Sequence, residues 1–288
     1  MRKMKKLIPF IAVLVVLAVV AVQYFGRNET PVYSDSVQNV PAFSDKAYIA
    51  INDNVPEFTQ EDMTDKSYEF YSELDALGRC GYAMACVGVD IMPTEERGSI
   101  GQVKPSGWQT VKYDFVDGKY LYNRCHLIGF QLTGENANER NLITGTRYLN
   151  IEGMLPFENM IADYVKETEN HVIYRVTPVY DGDNLVARGV QMEAKSVEDQ
   201  GEGVCFNVYA YNNQPGVEID YATGHSQPVE TDDNAPANDY ILNTNSKKFH
   251  KTTCSLADDI GKNNKENYTG SRDTLIQQGY EPCKSCNP

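Results

Sequence analysis

The pattern of hydrophobic and polar positions predicts one clear helix in the middle of the chain. Apolar side chains recur there at intervals of three and four residues, which brings them to one face of a helix. They are Phe157, Met160, Ile161, Tyr164 and Val165. Pro156 suits the first turn, because a helix start leaves backbone N–H groups without partners. A second pattern, with intervals of three, predicts a helical or turn segment over residues 62–77. Its members are Tyr68, Tyr71, Leu74 and Leu77.

Alternating apolar and polar residues, bounded by turn residues, predict the strands. These strands cover residues 48–51, 172–179, 185–194 and 204–211, and residues 78–87 are predicted to form a turn that leads into a buried strand. Asp117-Gly118 predicts a hairpin turn between two further short strands, and residues 97–109 are predicted to form a loop. The order of strands, a helix and more strands is typical of an α+β fold with an antiparallel sheet.

The first 27 residues predict a membrane anchor. Positive side chains precede a mostly apolar run over residues 7–25, and they are Arg2, Lys3, Lys5 and Lys6. The run is long for a signal-peptide core and long enough for a tilted membrane span, and no small-x-small cleavage site follows it. The positive N-terminal side predicts a single-pass protein in the cell membrane with an extracellular body. Secretion after cleavage is the alternative.

Charge limits the functions that the body can have. The 288-residue chain has a formal net charge of −14, and residues 28–288 carry 21 positive and 40 negative side chains. So acidic a body argues against loose binding of nucleic acid over the whole surface, which depends on neutralising phosphates. A local cationic cleft remains compatible with it. From composition alone, an acidic soluble domain without a nucleic-acid function is the simplest interpretation.

Changes in composition divide the chain into five predicted segments. They are an anchor at 1–27, a linker at 28–46, a main domain at 47–221, a linker at 222–238 and a C-terminal module at 239–288. The first linker is rich in Ser, Asp, Pro, Asn and Val and has no hydrophobic periodicity, which is typical of a flexible spacer. The second linker is indicated by Gly224, Pro228, Asp232-Asp233 and Pro236.

Residues 122–158 contain the types of side chain that phosphodiester hydrolysis needs. They include His126, the only histidine in this part of the chain, together with arginines, amides and Glu158. An imidazole suits a general base at neutral pH. Arginine binds phosphate oxygens with a forked pair of donors, and amide oxygens suit Mg²⁺, which keeps several of its waters. The tetrapeptide around His126 is too short to be specific, because a strand end with a packed histidine explains it equally well.

The whole stretch resembles the active-site segment of the DNA/RNA non-specific endonucleases, the ββα-metal or His-Me finger nucleases. The signature of that family is Asp-Arg-Gly-His, then an Asn-Ile/Leu-x segment, a metal-binding Asn and a Glu on the following helix. The corresponding residues here are Asn123-Arg124-Cys125-His126, Asn141-Leu142-Ile143, Asn150 and Glu158. Residues 174–196 further resemble the secreted and membrane-anchored DNA-entry nucleases of Gram-positive bacteria.

The resemblance implies a ββα-metal nuclease core over residues 47–221, with His126, Arg124, Asn141 and Glu158 as catalytic residues and Asn150 as the metal ligand. His126 would take a proton from the attacking water as general base. Asn150 would hold Mg²⁺ or Mn²⁺, and Glu158 would orient a metal-bound water. We therefore expect a metal-dependent phosphodiester hydrolase.

The same resemblance implies how substrate is held. Arg124 would neutralise the phosphate and Asn141 would position the site, whereas Arg147 and Arg79 are weaker candidates for phosphate contacts. The implied partner is DNA, and RNA as well, because water rather than a ribose hydroxyl attacks. Contacts to phosphate alone carry no base information, so little sequence preference is expected.

Two residues depart from the family signature. Asn123 stands where the family has Asp and removes a negative charge beside the site. Cys125 stands where the family has Gly, so the backbone there either avoids positive φ or is strained. Neither change touches His126 or Asn150. They leave open a catalytically degenerate protein that binds DNA or another surface and keeps the nuclease fold. An antibacterial toxin is a third hypothesis, which the predicted anchor fits poorly. No protein partner is predicted.

The C-terminal module carries a zinc pattern, His250-x₃-Cys254-x₂₈-Cys283-x₂-Cys286. Two close pairs of ligands separated by a loop are typical of a tetrahedral structural zinc site. Cys283 and Cys286 alone would also suit a redox pair, but the first pair of ligands favours zinc. The remaining cysteines suit either disulfides or buried free thiols, and they are Cys80, Cys86, Cys125 and Cys205.

This module resembles the zinc-binding domain of the bacterial Ada DNA-repair protein. The resemblance lies in Phe249-His250, Cys254 and residues 280–288, which read Tyr-x-Pro-Cys-Lys-x-Cys-x-Pro. In that family the first ligand is a cysteine that accepts methyl groups from damaged DNA. His250 can bind zinc but cannot serve as that acceptor, so we expect a structural or DNA-contacting module without repair activity.

Overall fold

The computed structural model describes residues 40–43, 46–230 and 237–288 of the chain. None of the helices in these ranges has both the length and the apolar character needed to cross a membrane. The predicted anchor at 1–27, and the predicted linker at 28–46 apart from residues 40–43 and 46, lie outside the described residues.

The main domain is built on a six-stranded antiparallel sheet. Its strands are β1 (Tyr48–Ala50), β2 (Tyr68–Tyr71), β3 (Ala83–Val87), β6 (Val172–Val179), β7 (Gly189–Ser196) and β8 (Cys205–Tyr211). They lie side by side in the order β1-β8-β7-β6-β3-β2, and every neighbouring pair is antiparallel. The predicted α+β class with an antiparallel sheet is confirmed, and so are the predicted strands near residues 48, 83, 172, 190 and 205.

A separate two-stranded ribbon precedes the main helix. It pairs β4 (Tyr122–His126) with β5 (Leu142–Thr146) in an antiparallel register that sets His126 opposite Leu142. Between these strands lies the short helix α1 (Phe130–Thr133), and after them a π-helix (Leu149–Met154) leads directly into α2 (Leu155–Thr168). Gly129, three residues after the end of β4, lies against Glu158 in the first turn of α2, so the end of β4 comes close to the beginning of α2.

The core lies between α2 and one face of the six-stranded sheet. On the helix, Phe157, Ile161 and Val165 are buried, as their spacing predicted, while Met160 is at the edge and 47% exposed. Val190 and Met192 of β7 belong to the same buried cluster. The predicted helix is confirmed, and the burial of its apolar face fixes which side chains point away from the core.

The helical or turn segment predicted over residues 62–77 is wrong, because residues 68–71 form the edge strand β2. Tyr68 pairs with Cys86 of β3 and Tyr71 pairs with Ala83. Side chains three positions apart point to opposite faces of a strand. Tyr68 packs against the apolar cluster on one face of the sheet, and Tyr71 packs against the cluster on the other face. An apolar spacing of three residues, which resembles a helix pattern, therefore fits a strand that is covered on both faces.

The predicted hairpin around Asp117-Gly118 forms a turn with one isolated bridge, Lys112 to Tyr120, instead of two strands. The segment predicted as the linker 222–238 contains a strand as well. A small hairpin pairs β9 (Val217–Ile219) with β10 (Ser226–Pro228). Residues 231–236 of this segment lie outside the described residues.

The C-terminal module has its own four-stranded sheet and helix. The strands are β11 (Asn238–Asn243), β12 (Lys248–Lys251), β13 (Lys265–Gly270) and β14 (Glu281–Pro282), in the order β13-β11-β12-β14, and α3 spans Arg272–Gln277. Its small core includes Phe249, Leu275 and Ile276, and Phe115 of the main domain packs against that core. The described residues of both parts belong to one compact unit.

Candidate active site and zinc site

His126 ends β4 and is buried, with each ring nitrogen in a defined contact. Nε2 lies 2.8 Å from the carbonyl oxygen of Asn136, and Nδ1 lies 3.2 Å from Nη2 of Arg97. A carbonyl oxygen only accepts, so Nε2 carries the proton and Nδ1 carries the lone pair. Burial lowers the pKa of His126 to about 4; the contact with Asn136 opposes this change and the charge of Arg97 adds to it. The imidazole is therefore neutral at physiological pH, and Nδ1 is its basic atom.

Glu158 lies in the first turn of α2 and is buried beside Gly129. A Cβ atom at Gly129 would lie only 2.7 Å from the carboxylate atoms of Glu158, so the close approach requires glycine. Burial raises the pKa of Glu158 to about 7, and the charge of Arg97 opposes that rise. Within the described parts of the chain, no hydrogen bond or ion pair holds this carboxylate. The positive charge of Arg97 thus influences the pKa of both His126 and Glu158.

Asn150 is held by an amide on the neighbouring strand. Its Nδ2 donates to Oδ1 of Asn123 at 3.3 Å, and the same oxygen accepts from Nη1 of Arg147 at 3.4 Å. This contact uses the Asn150 amide nitrogen and leaves its Oδ1 for another partner. A carbonyl oxygen of this kind is a suitable ligand for a hard cation such as Mg²⁺. Asn123, which replaces the Asp of the signature, still supplies the oxygen that orients Asn150.

Asn141 is completely buried, and both polar atoms of its side-chain amide form hydrogen bonds with the backbone of one residue. Its Oδ1 accepts from the N–H of Ile128 at 2.9 Å, and its Nδ2 donates to the carbonyl of Ile128 at 3.0 Å. Ile128 lies between His126 and the Gly129 that contacts Glu158. Asn141 therefore holds the turn that links those two groups, and both polar atoms of its side chain are engaged in doing so.

The guanidinium of Arg124 holds a loop. It donates to the carbonyl oxygens of Val103 and Gly101, the latter at 2.8 Å, and it stacks on Trp108 at 4.0 Å from the ring centroid. These contacts lie in the predicted loop 97–109, which also carries Arg97. Arg124 thus anchors the segment that brings Arg97 to His126. The guanidinium N–H groups that would bind phosphate according to the family resemblance donate to loop carbonyls here.

The two other arginines named from the sequence make ion pairs. Arg147 pairs with Asp117 at 2.7 Å and reaches Asn123, so it adjoins the site. Arg79 pairs with Asp75 at 2.7 Å and donates to the carbonyl oxygens of residues 182 and 184. The contacts of Arg79 connect surface loops and include none of the site residues.

Cys125 occupies an ordinary strand position. It is not among the residues with positive φ, and it is fully buried. A Cβ atom at Gly145 on the opposite strand would lie 2.3 Å from the Cys125 sulfur, so the missing side chain at 145 makes room for the one at 125. Cys125, in the position where the family has Gly, therefore has regular strand geometry without positive φ.

Two residues of this site were missed from the sequence. Arg97 and Asn136 lie in irregular segments, and neither belongs to a periodic pattern or to the signature. Arg97 had one available signal, because it is the single arginine in a Gly- and Ser-containing loop just before the motif. The contribution of Asn136 is a backbone carbonyl, for which residue identity gives no signal.

The four predicted zinc ligands come together in the C-terminal module. Candidate ligand atoms of His250, Cys254, Cys283 and Cys286 all lie within 4.8 Å of one another. Nδ1 of His250 lies 3.5 Å from the sulfur of Cys254. Tetrahedral zinc with ordinary bond lengths would separate such a nitrogen and sulfur by roughly 3.6 Å. One His–Cys pair and one Cys–Cys pair, about thirty residues apart in the chain and brought together by β12 and β14, therefore fit one zinc ion.

Comparisons with known proteins agree on the main domain. Residues 59–198 match the family model described as DNA/RNA non-specific endonuclease. The fold is similar to NucA from Streptococcus agalactiae, at 26% identity, both with magnesium bound (TM-score 0.59) and with no metal bound (TM-score 0.58). Each of these comparisons covers 67% of this chain and 92% of NucA. The Sda1 nuclease with a bound zinc ion shares the fold, at 24% identity and a TM-score of 0.53 over 65% of this chain and 97% of its own. Over residues 59–198 this chain is therefore similar, in sequence and in fold, to the DNA/RNA non-specific endonucleases.

Proposed function

We propose that this protein is a metal-dependent endonuclease that hydrolyses DNA and RNA phosphodiesters with little sequence preference. One observation carries the proposal: Arg97 contacts the lone pair on Nδ1 of the neutral His126, and its charge also acts on the buried carboxylate of Glu158, which has no ion pair of its own. The similarity of residues 59–198 to non-specific endonucleases supports the same reaction class.

His126 would act as the general base. The contact between Nε2 and the Asn136 carbonyl fixes the tautomer and can stabilise the positive charge that forms when Nδ1 takes a proton from water. The low pKa of His126 keeps the imidazole unprotonated between substrate turnovers. A negative phosphate next to the ring would raise that pKa during the reaction, because an opposite charge favours the protonated form.

Arg97 would bind the scissile phosphate. Its guanidinium now donates to the lone pair of Nδ1, which is the same lone pair that must accept a proton. A phosphate is a stronger acceptor for arginine than a neutral imidazole nitrogen. We therefore expect substrate to draw Arg97 onto a phosphate oxygen and to free Nδ1 for water. Arg147 would add a second positive charge near Asn150, and Arg124 would act through the loop that it anchors.

Mg²⁺ or Mn²⁺ would bind at Oδ1 of Asn150, with Glu158 orienting a metal-bound water. The donor set fits a hard cation that keeps most of its waters, because it offers one oriented amide oxygen and one carboxylate without a partner. When bound, the cation supplies charge stabilisation at the phosphate and at the leaving oxygen. Asn123 keeps the Asn150 amide in orientation, and Asn141 holds the turn between His126 and Glu158.

The remaining sequence-based assignments complete the proposal. The zinc ion of the C-terminal module would be structural, because its ligands are two close pairs in a module of about fifty residues, a size that often needs a metal to fold. The positively charged N-terminus and the apolar run at 7–25 support a body anchored outside the cell membrane, with cleavage and secretion as the alternative.

Plasmid DNA and a single-stranded RNA, each incubated with the protein and Mg²⁺ or EDTA, test this function. We expect cleavage of both with Mg²⁺, none with EDTA, and a loss of about 10²–10⁴-fold in the His126→Ala variant. His225→Ala, which changes an exposed histidine, is the matched control and should keep full activity. Full cleavage by His126→Ala would remove the histidine from the mechanism. Binding of DNA without cleavage by the native protein would identify a degenerate relative.

A further inference from the structure

An ion pair connects the zinc loop to the helix that carries Asn150. Lys284 stands between the zinc ligands Cys283 and Cys286, and its Nζ contacts the carboxylate of Glu152. Glu152 lies in the π-helix, two residues after Asn150. The side chain of Glu152 is 29% exposed and that of Lys284 is 71% exposed, so the pair lies at the surface boundary between the module and the main domain.

Apolar and polar contacts from α3 support the same interface. A Cβ atom at Gly216 would lie 2.8 Å from Ile276, so the helix packs closely on the backbone that leads into β9. Phe115 packs against the module core, and Nε2 of Gln277 donates to the carbonyl of Val229. These contacts hold the module in place independently of the ion pair. Lys284 therefore approaches Glu152 from a docked and ordered surface.

We propose that Lys284 is a positioning residue for the nuclease site and that zinc holds it in position. Closing the loop 283–286 on a metal orders the backbone on both sides of Lys284. Its ammonium then fixes Glu152 and, through the π-helix, the direction in which Asn150 presents its oxygen. This inference rests on the proposed function, since it assigns Lys284 an effect on the cation that Asn150 would hold.

The expected size of the effect follows from the exposure of the pair. Exposed ion pairs stabilise by only a small amount, so loss of Lys284 alone should raise the Mg²⁺ concentration for half-maximal activity by about two- to fivefold. Removal of zinc should have a larger effect, because it frees the whole loop and the ends of β12 and β14. The maximal rate at saturating Mg²⁺ should change little in the Lys284 variant, since the side chain contacts no reacting group.

Four variants of the full chain test the inference. Lys284→Ala removes the ammonium, Lys284→Arg keeps a positive charge, and Lys284→Glu combined with Glu152→Lys reverses the pair. Lys262→Ala, an exposed lysine of the same module, is the control. Each is measured for zinc content, for the Mg²⁺ dependence of cleavage, and for hydrogen exchange of residues 149–154 without Mg²⁺. The native protein is measured again after zinc has been removed with a chelator and after zinc has been restored.

In Lys284→Ala with normal zinc content, we expect faster exchange at 149–154 and a higher Mg²⁺ concentration for half-maximal cleavage. Lys284→Arg and the reversed pair should recover both measurements, and Lys262→Ala should match the native protein. Unchanged exchange in Lys284→Ala and in the zinc-free protein would overturn the inference, even if Mg²⁺-dependent cleavage were normal. The absence of all cleavage would instead contradict the proposed function, while the exchange measurement would still test the coupling.

Discussion

Nη2 of Arg97 lies 3.2 Å from Nδ1 of His126, the ring nitrogen that carries the lone pair. The charge of the same arginine adds to the effect of burial that lowers the pKa of His126, and it opposes the effect of burial that raises the pKa of Glu158. One cation from an irregular loop therefore contacts a residue at the end of β4 and acts electrostatically on a residue at the beginning of α2. This relationship makes Arg97 the first residue to test after His126.

Arg97→Ala should reduce cleavage by about 10²–10³-fold, the effect typical of removing one donor to a charge that develops in the transition state. Arg97→Lys should recover only part of the activity, because lysine lacks the forked pair of donors. Steady-state cleavage at saturating Mg²⁺ is the measurement. Arg140→Ala breaks an exposed ion pair with Glu73 and serves as the control. Unchanged cleavage by Arg97→Ala would exclude a role for the guanidinium in catalysis.

Gly129→Ala should displace Glu158, because the new methyl group would lie 2.7 Å from the carboxylate atoms. We expect a higher Mg²⁺ requirement and a lower stability of about 1–3 kcal/mol, which is the usual result of inserting a methyl group into a packed site. Gly261→Ala is the matched control, since no atom lies within 4 Å of its added methyl group. Chemical denaturation and a Mg²⁺ titration of cleavage measure the two effects. A native-like Gly129→Ala variant would show that Glu158 can move without consequence.

The pH dependence of stability without added Mg²⁺ should reveal two buried groups whose contributions change with pH in opposite directions. Glu158 has a pKa of about 7 in the folded protein against 4.5 as its ordinary value, so the folded state holds the proton more tightly. Its contribution to stability is complete below pH 4.5 and is lost as pH rises to about 7. His126 has a folded pKa of about 4 against 6.5, so its contribution is complete above pH 6.5 and is lost as pH falls to about 4.

Each contribution is on the order of 3 kcal/mol, and the two should nearly cancel between pH 4.5 and 6.5 in the native protein. Glu158→Gln cannot titrate, so its free energy of unfolding should rise steeply with pH through this window. His126→Ala should show the opposite slope, with stability falling as pH rises. Urea denaturation at half-unit intervals of pH measures all three proteins. Parallel curves for them would mean that neither group has the shifted pKa.

Asn141→Ala should lower stability by about 2–4 kcal/mol, because it leaves the N–H and the carbonyl of Ile128 buried without partners. Catalysis should fall as well, since the turn between His126 and Gly129 loses its support. Asn159→Ala removes a more exposed amide contact with Gln131 and should change stability by less than about 1 kcal/mol. Thermal or urea unfolding separates the two variants. A purely catalytic defect in Asn141→Ala, with normal stability, would contradict the positioning role.

Much of the fold was determined by local patterns. The spacing from Phe157 to Val165 predicted the helix and its buried face, since side chains of a helix meet their neighbours at fixed intervals. The zinc ligands were predicted in the same way, because two close pairs of ligands need little more than a turn each to point at one metal. The stretch from Asn123 to Glu158 indicated the nuclease chemistry through residue types and their order.

The tertiary structure decided what the side chains of that stretch do. Tyr68 and Tyr71 became strand residues because β3 offered pairing partners and both faces of the sheet were covered, which no local spacing can indicate. Arg124 holds a loop and Arg97 reaches His126, although the sequence suggested the first arginine and gave only a weak signal for the second. A pattern in the sequence reports neighbours within one element, whereas charge, burial and pKa depend on which distant segments fold against each other.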